Sequence, residues 1–238
     1  MNKKSKIHLI RHSITEGNKK RWYYGKIDIP LLEEGIEEVR RLVKEDIYPC
    51  RRELAEYLSK ESTNNIRNGE RVEKTFEKTS SIAGITDEKT FGIKFYTSGM
   101  QRAEQTFRLI YGEIEREILD GFRELSFGIF EGYSHDELNG REDYQLWIDN
   151  YGSAAPGGES HIEFANRISE TFKYLCDKLS SEEELSQIVV VCHGGVIGGL
   201  MMGLFPQENK HLYKWIPDPA HGYTLELEDD KVVNYQPF

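Results

Sequence analysis

An arginine and a histidine side by side at the end of a short apolar run can grip an anion and attack it, and Ile7-His8-Leu9-Ile10 leads directly into Arg11-His12. Two more runs end in chemically capable residues. Ile93 to Tyr96 is followed by Ser98 to Arg102, and the Val/Ile-rich stretch from Gln187 to Cys192 is followed by His193-Gly194-Gly195. A guanidinium presents a planar fork that matches phosphate oxygens. The amides that open a helix at Gly194 and Gly195 would add positive potential for the same ligand. Each residue alone has an ordinary role: a solvated or ion-paired arginine, a hydrogen-bonded histidine, a glycine for helix packing. Their shared position at strand ends is what argues for a phosphate site, because in open parallel sheets ligands bind beyond the carboxyl ends of the strands.

The elements that must carry these groups follow from periodicity. Lys6 to Arg11 predicts a first strand, followed by a polar loop with Gly17 and Gly25. Ile36, Val39, Leu42, Val43 and Ile47 recur at helical spacing from Glu33 onward until Pro49 breaks the pattern. Gln101 to Tyr111, Glu163 to Leu179 and Gly194 to Leu204 predict further helices, and Tyr223 to Leu227 with Val232 to Tyr235 predict a closing hairpin across Asp229-Asp230. The run from Gln187 to Cys192 is apolar on both faces, as expected of a strand covered by helices on either side. Strands alternating with helices predict an α/β chain built as a three-layer α/β/α sandwich around a mostly parallel central sheet.

The 238 residues, 38% of them hydrophobic, suffice for a single domain with one sizeable core. No stretch predicts a signal peptide or a membrane span, so a soluble, cytoplasmic protein is expected. The three cysteines, Cys50, Cys176 and Cys192, lack metal-type spacing and suit a reducing compartment. A net charge of -10 argues against nucleic acid or an anionic membrane as partner. An anionic small molecule must therefore be held by locally placed cations. Association into a homo-oligomer stays open.

The motifs resemble those of the histidine phosphatase superfamily, the phosphoglycerate-mutase-like group. Leu9 to Asn18 is similar to its signature segment, and Gly25 with Asp28, Pro30, Leu31 and Gly35 to the loop leading into the first helix. Thr97 to Thr106 resembles the segment bearing the second phosphate arginine, and Phe122 to Gly132 the general-acid segment. Pro156 to Ser160 and Val191 to Gly195 complete the set in the expected order. The likeness covers the chain apart from the stretch between the first helix and the second strand. Two departures stand out: Ser13 replaces the usual Gly after the Arg-His pair, and Leu32 replaces a Thr or Ser helix cap.

The resemblance implies that His12 is the nucleophile and forms a phosphohistidine, that Arg11, Arg102 and His193 stabilise the phosphoryl oxygens, and that Asn18 and Gly194 add donors to the substrate. It implies that Glu124 protonates the leaving alcohol and activates water, and that neither metal nor cofactor takes part. His8 and His12 are four apart, but on a strand that spacing does not align metal ligands. A cysteine phosphatase would need an arginine shortly after Cys192, and no phosphate-binding loop of the Gly-x4-Gly-Lys-Ser/Thr type is present. The partner implied is a small-molecule phosphate monoester, hydrolysed as in the branch that resembles α-ribazole phosphatases. The mutases of the family continue Gly-Leu-Asn-Lys after the acid-bearing motif and carry a longer segment there, whereas Gly132 is followed by Tyr133-Ser134-His135. The alternatives are a phosphoglycerate mutase and, from another class, a phosphate-ligand-binding protein without turnover.

Two segments lie outside the repeating pattern. Residues 46-90 predict an inserted helical segment, with Leu54, Tyr57 and Leu58 and then Val72 and Phe76 at helical spacing. It joins the end of the first helix to the start of the second strand, so its roots should lie opposite the crevice. Residues 125-159 follow the acid and hold Phe127, Phe130, Tyr133, Tyr144, Trp147 and Tyr151, a candidate specificity cap or an ordinary aromatic core. Lys19, Lys20 and Arg21 would favour a polyanionic substrate unless they form a solvated surface run.

Overall fold

A computed structural model describes residues 3-67, 92-150 and 152-238. Its strands are β1 (Lys4–Arg11), β2 (Ile93–Thr97), β3 (Glu117–Ile118), β4 (Gln187–Cys192), β5 (Gly222–Glu228) and β6 (Lys231–Pro237). They form one sheet in the order β3-β2-β4-β1-β5-β6. The four strands from β3 to β1 are mutually parallel, and β5 and β6 close the other edge antiparallel. The helices are α1 (Glu16–Lys20), α2 (Glu33–Lys44), α3 (Arg51–Arg67), α4 (Gln101–Tyr111), α5 (His135–Leu138), α6 (Glu142–Asp149), α7 (His161–Ser181), α8 (Gly194–Leu204) and α9 (Leu212–Trp215).

The two-sided burial expected of β4 is borne out residue by residue. Ile188, Val190 and Cys192 face a core shared with Phe172, Leu175 and Leu179 of α7 and Val196, Ile197 and Met201 of α8. Val189 and Val191 face the other core, made with Val39 and Leu42 of α2 and Ala103, Phe107 and Ile110 of α4. A strand whose alternate residues enter two cores must lie between two helical layers, which gives the α/β/α sandwich. Among the described residues no helix is long and apolar enough to cross a membrane.

Part of the 46-90 segment is visible as α3. Leu54 is buried in the second core, and the Arg51 guanidinium donates to the carbonyls of Ile110 and Val43, so α3 packs on the α2/α4 layer. Val72 and Phe76 lie outside the described residues. In the 125-159 segment Phe130 and Tyr144 are fully buried, with Tyr23 and Trp147 packed against them, so those aromatics form a small core under α5 and α6. Tyr151 lies outside the described residues. Leu32 caps α2 without a side-chain hydrogen bond, an omission worth about 1 kcal/mol of helix stability.

β1 also buries a histidine on the face that carries Ile10. The His8 ring bonds Thr224 Oγ1 at 2.9 Å and Gln187 Oε1 at 3.1 Å, and burial pushes its pKa down to about 4. Above the ordinary value of 6.5 the ring is neutral in both folded and unfolded chains and contributes nothing to pH dependence. As pH falls from there towards 4, the unfolded chain takes up a proton that the folded ring refuses, and stability drops by about 3 kcal/mol. Denaturant unfolding at pH 7.5 and 4.5 should therefore show a steeper acid loss for the native chain than for His8→Gln. Equal losses in the two proteins would mean that His8 titrates normally.

Candidate active site

The sheet register brings the reactive groups to one level. Arg11 lies opposite Cys192 in the β1/β4 pair and Thr97 opposite Val191 in the β2/β4 pair, so the residues that follow, His12, Ser98 and His193, emerge together beyond the carboxyl ends of their strands. The His12 and His193 rings meet edge to face with centroids 5.2 Å apart.

Hydrogen bonding fixes both imidazoles. His12 Nδ1 is 2.7 Å from the Ser13 carbonyl oxygen, which can only accept, so Nδ1 carries the proton and Nε2 keeps its lone pair. Burial, then Arg102 and Arg11, hold the His12 pKa well below the usual value, which leaves a neutral imidazole at neutral pH. His193 is the opposite tautomer. Its Nδ1 accepts from Arg102 Nε at 3.3 Å, so Nε2 is the donor to Ser98 Oγ at 2.8 Å. Burial, reinforced by Arg102, His12 and Arg11, keeps it neutral as well. For His193 to donate to a phosphoryl oxygen, it has to exchange one of these partners.

Arg102 is buried and Arg11 half-buried, neither with a carboxylate in direct contact. Arg102, with no exposed surface, donates to the carbonyls of Ile27 and Gly25 while Tyr24 stacks over its guanidinium at 4.9 Å. Arg11 donates to the Pro217 carbonyl at 2.8 Å, and its buried Nε has no partner among the described residues. Burial pulls both pKa values down from the usual arginine range, with Tyr24 and Glu124 opposing it. A guanidinium remains charged under such shifts. An unpartnered N–H on a buried cation beside a neutral imidazole is an anion site in waiting.

Glu124 sits at the start of α8. Its Oε2 accepts from Gly195 N at 2.8 Å and its Oε1 from Leu125 N at 2.9 Å, while Arg123 turns away to Asp120 at 2.8 Å. An Arg123–Glu124 surface pair is therefore not formed. Gly194 packs against Arg11, where a Cβ would lie 3.1 Å from Nε. Asn18 Oδ1 accepts from Thr15 N and Oγ1 in a capping box, which leaves its amide NH2 as the end available to a ligand. Ser13 is buried and its hydroxyl donates to the Gly35 carbonyl at 2.8 Å, tying the loop to α2. Its φ is not positive, so the backbone there has no need of glycine.

Residues outside the sequence-based set also shape the site. Tyr24 touches Arg102 and bonds Thr15 Oγ1 at 2.9 Å; nothing in its loop position marked it. Ser98 was legible as a strand-end residue, but its role as the partner of His193 depends on the register. Lys19 and Lys20 pair with Glu34 and Glu16 at the surface. Cys192 is fully buried, and burial pushes its thiol pKa up, as suits an inert strand residue.

The sequence matches the family model of the histidine phosphatase superfamily, branch 1, over residues 7-46 and 67-235. The chain is similar to a 2,3-bisphosphoglycerate-dependent phosphoglycerate mutase of Bartonella henselae, 30% identical over 139 residues that make up 53% of this chain and 66% of that one. It thus spans just under two thirds of that relative's length. A mutase of the same description from Parvibaculum lavamentivorans is 25% identical over 82% of this chain and 78% of its own. In three dimensions the chain resembles the α-ribazole phosphatase of Shigella flexneri, with a TM-score of 0.66, 19% identity and coverage of 96% and 94%; at that identity the likeness speaks for the fold.

Glu124 is seated by the absence of a side chain at Gly195, where an added Cβ would lie 2.3 Å from Oε1. Alanine favours the helix itself, so Gly195→Ala should keep the melting temperature while displacing the carboxylate. We expect kcat for a phosphate monoester to fall by roughly 10²-fold, the scale of a lost general acid–base. An unchanged kcat would show that the position of Glu124 is immaterial.

Proposed function

The chain belongs to the histidine phosphatase superfamily, and on that premise we propose that it hydrolyses a small-molecule phosphate monoester through a phosphohistidine on His12. The observation that carries this reading is the His12 ring, neutral, pinned through Nδ1 to the Ser13 carbonyl and flanked by an arginine with an unpartnered N–H. Nε2 attacks phosphorus as the bond to the leaving oxygen breaks, and Glu124, as general acid, passes a proton to that oxygen. In the second half Glu124 takes a proton from water, whose oxygen attacks the phosphohistidine, releasing phosphate and restoring the neutral ring. Arg11 and Arg102, with Asn18 and the amide of Gly194, meet the charge on the non-bridging oxygens. His193 orients Arg102 and supplies a donor once it exchanges Ser98 for the phosphoryl group. These cations do the electrostatic work without a metal. The three free, buried cysteines support a reducing compartment, the cytoplasm.

A second reading, phosphoglycerate mutase, is favoured by the names of the curated relatives. It shares every residue role but requires that phosphohistidine be kept from water while an intermediate turns over.

Rapid acid-free quenching during turnover of a labelled monoester should trap an acid-labile, base-stable phosphoryl group, absent in His12→Ala, and EDTA should leave the rate unchanged. Full activity in His12→Ala would rule out the mechanism. With 3-phosphoglycerate and a trace of 2,3-bisphosphoglycerate, phosphate release should outrun formation of 2-phosphoglycerate. Isomerisation well ahead of phosphate release, at a rate comparable to the best monoester hydrolysis, would make the chain a mutase.

A further inference from the structure

Glu131 stands near the end of the acid-bearing motif, and the proposed chemistry gives it no part. Its half-buried carboxylate takes three backbone N–H groups: Lys26 N at 2.9 Å and Phe127 N at 3.1 Å on Oε1, and Ile27 N at 2.8 Å on Oε2. All three partners donate, so the carboxylate is used purely as an acceptor, the role that its ionised form fills. Hydrogen bonds to an ionised group are about twice as strong as neutral ones. Lys26 and Ile27 belong to the loop after α1, whereas Phe127 belongs to the stretch that follows Glu124. One carboxylate therefore staples the two together. Backbone bonds run alongside it, from Gly132 N to the Tyr23 carbonyl at 2.9 Å and from Tyr23 N to the Tyr133 carbonyl at 2.8 Å.

The N–H of Lys26 and the carbonyl of Gly25 are the two ends of a single planar peptide group. Arg102 holds the other end: its Nη2 donates to the Gly25 carbonyl at 3.2 Å, while its Nη1 donates to the Ile27 carbonyl at 2.9 Å. A carboxylate on the N–H and a guanidinium on the C=O occupy the two poles that the peptide dipole favours, and hydrogen bonds in such a chain polarise one another. Arg102 thus has a counter-charge one peptide away. Burial pulls its pKa down, and Glu131 is among the groups that oppose the pull, after Tyr24, Glu124 and Asp28. The peptide is also hemmed in. Gly25 sits so close to the Leu125 carbonyl that an added Cβ would lie 1.8 Å from the oxygen, and Asp28 accepts from Gln101 N at 2.7 Å, one residue before Arg102.

We propose that Glu131 is a positioning residue for the phosphate site: through the Gly25–Lys26 peptide it holds the Arg102 guanidinium where phosphoryl oxygens need it, and through Phe127 it keeps the Glu124 segment in step with that guanidinium. The inference rests on the phosphate site of the reading above and holds for hydrolase and mutase alike. The two effects open to this carboxylate have opposite signs. As a bare negative charge it would repel phosphate, so Glu131→Gln would tighten binding, and added salt would screen the change. As a positioning group it aids binding. Glu131→Gln, which sets an NH2 donor against a backbone N–H, should then weaken inorganic phosphate in calorimetry about tenfold at low and high sodium chloride alike, the scale of one charge-assisted hydrogen bond. In an Arg102→Lys background, where the fork on the two carbonyls is gone, the same substitution should cost less than about twofold. Glu137→Gln, which takes a similar carboxylate from the backbone and side chain of Ser134, should lower the melting temperature and leave phosphate binding unchanged. Unchanged or tighter binding in Glu131→Gln, or an equal loss in the Arg102→Lys background or in Glu137→Gln, would overturn the assignment. Should Glu131→Gln not fold, Glu131→Asp, which keeps the charge on a shorter arm, is titrated in its place; a loss of about threefold is expected, and unchanged binding overturns the assignment equally. No phosphate binding by the native chain would instead remove the phosphate site, and with it both this inference and the proposed chemistry.

Discussion

Two guanidinium groups flank His12, Arg102 buried and Arg11 half-buried, with backbone carbonyls, a histidine nitrogen and an aromatic face as their direct partners. A buried charge without a counterion costs several kcal/mol, and in this site the nearest carboxylate, Glu124, has its oxygens on backbone amides. The rest of the site follows from that imbalance. Burial holds both histidines neutral, and a third and fourth positive charge beside the arginines would raise the cost further. A neutral His12 with its proton fixed on Nδ1 keeps a free lone pair on Nε2, as the proposed nucleophile needs, and the proposed phosphoryl ligand, with its negative oxygens, would balance the arginines.

Holding such a cluster requires support that does not yield, and the parallel pairing of β1, β4 and β2 provides it. A strand buried on both faces cannot slip by one residue without exchanging its two cores, so the levels of His12, Ser98 and His193 are set by Ile188 to Cys192 packing alternately on α7/α8 and α2/α4. Ser13 adds a tie from the first loop to α2 through the Gly35 carbonyl. There the departure from the family pattern acts on scaffolding, because the hydroxyl is engaged within the protein.

Strand and helix positions were legible wherever hydrophobic spacing dictated them, as in β4, α4 and α8, whose observed limits coincide with the apolar runs. The short elements α1, α5, α6, α9 and β3 were not, since two to eight residues give too little periodicity and the form of the short helices depends on caps such as Thr15/Asn18 and Ser134/Glu137. In the site, residue types at strand ends pointed to phosphate, and the motif resemblance supplied roles. The tautomers of His12 and His193, the seat of Glu124 on Gly195 and the contact of Tyr24 with Arg102 depend on long-range packing that no local pattern encodes. The alternative left open for residues 125-159 was decided by packing: Phe130 and Tyr144 form a core.

The aromatic core bears on how the proposed chemistry would end. Tyr23, Tyr144 and His135 are joined by hydroxyl and ring hydrogen bonds at 2.7 and 2.6 Å, and Phe130 and Trp147 pack on them. These rings of the segment after the acid therefore pack among themselves and against Tyr23 of the first loop, which leaves none of them in reserve to fold over the proposed phosphohistidine. Glu124 borders a cavity whose wall includes exposed charged side chains, Lys26, Asp120 and Arg123. Water admitted there would reach the carboxylate that has to activate it. Sealing that route, as transfer to a second substrate oxygen demands, would require burying these charges or moving them, and the pairing of Arg123 with Asp120 at the surface works against both.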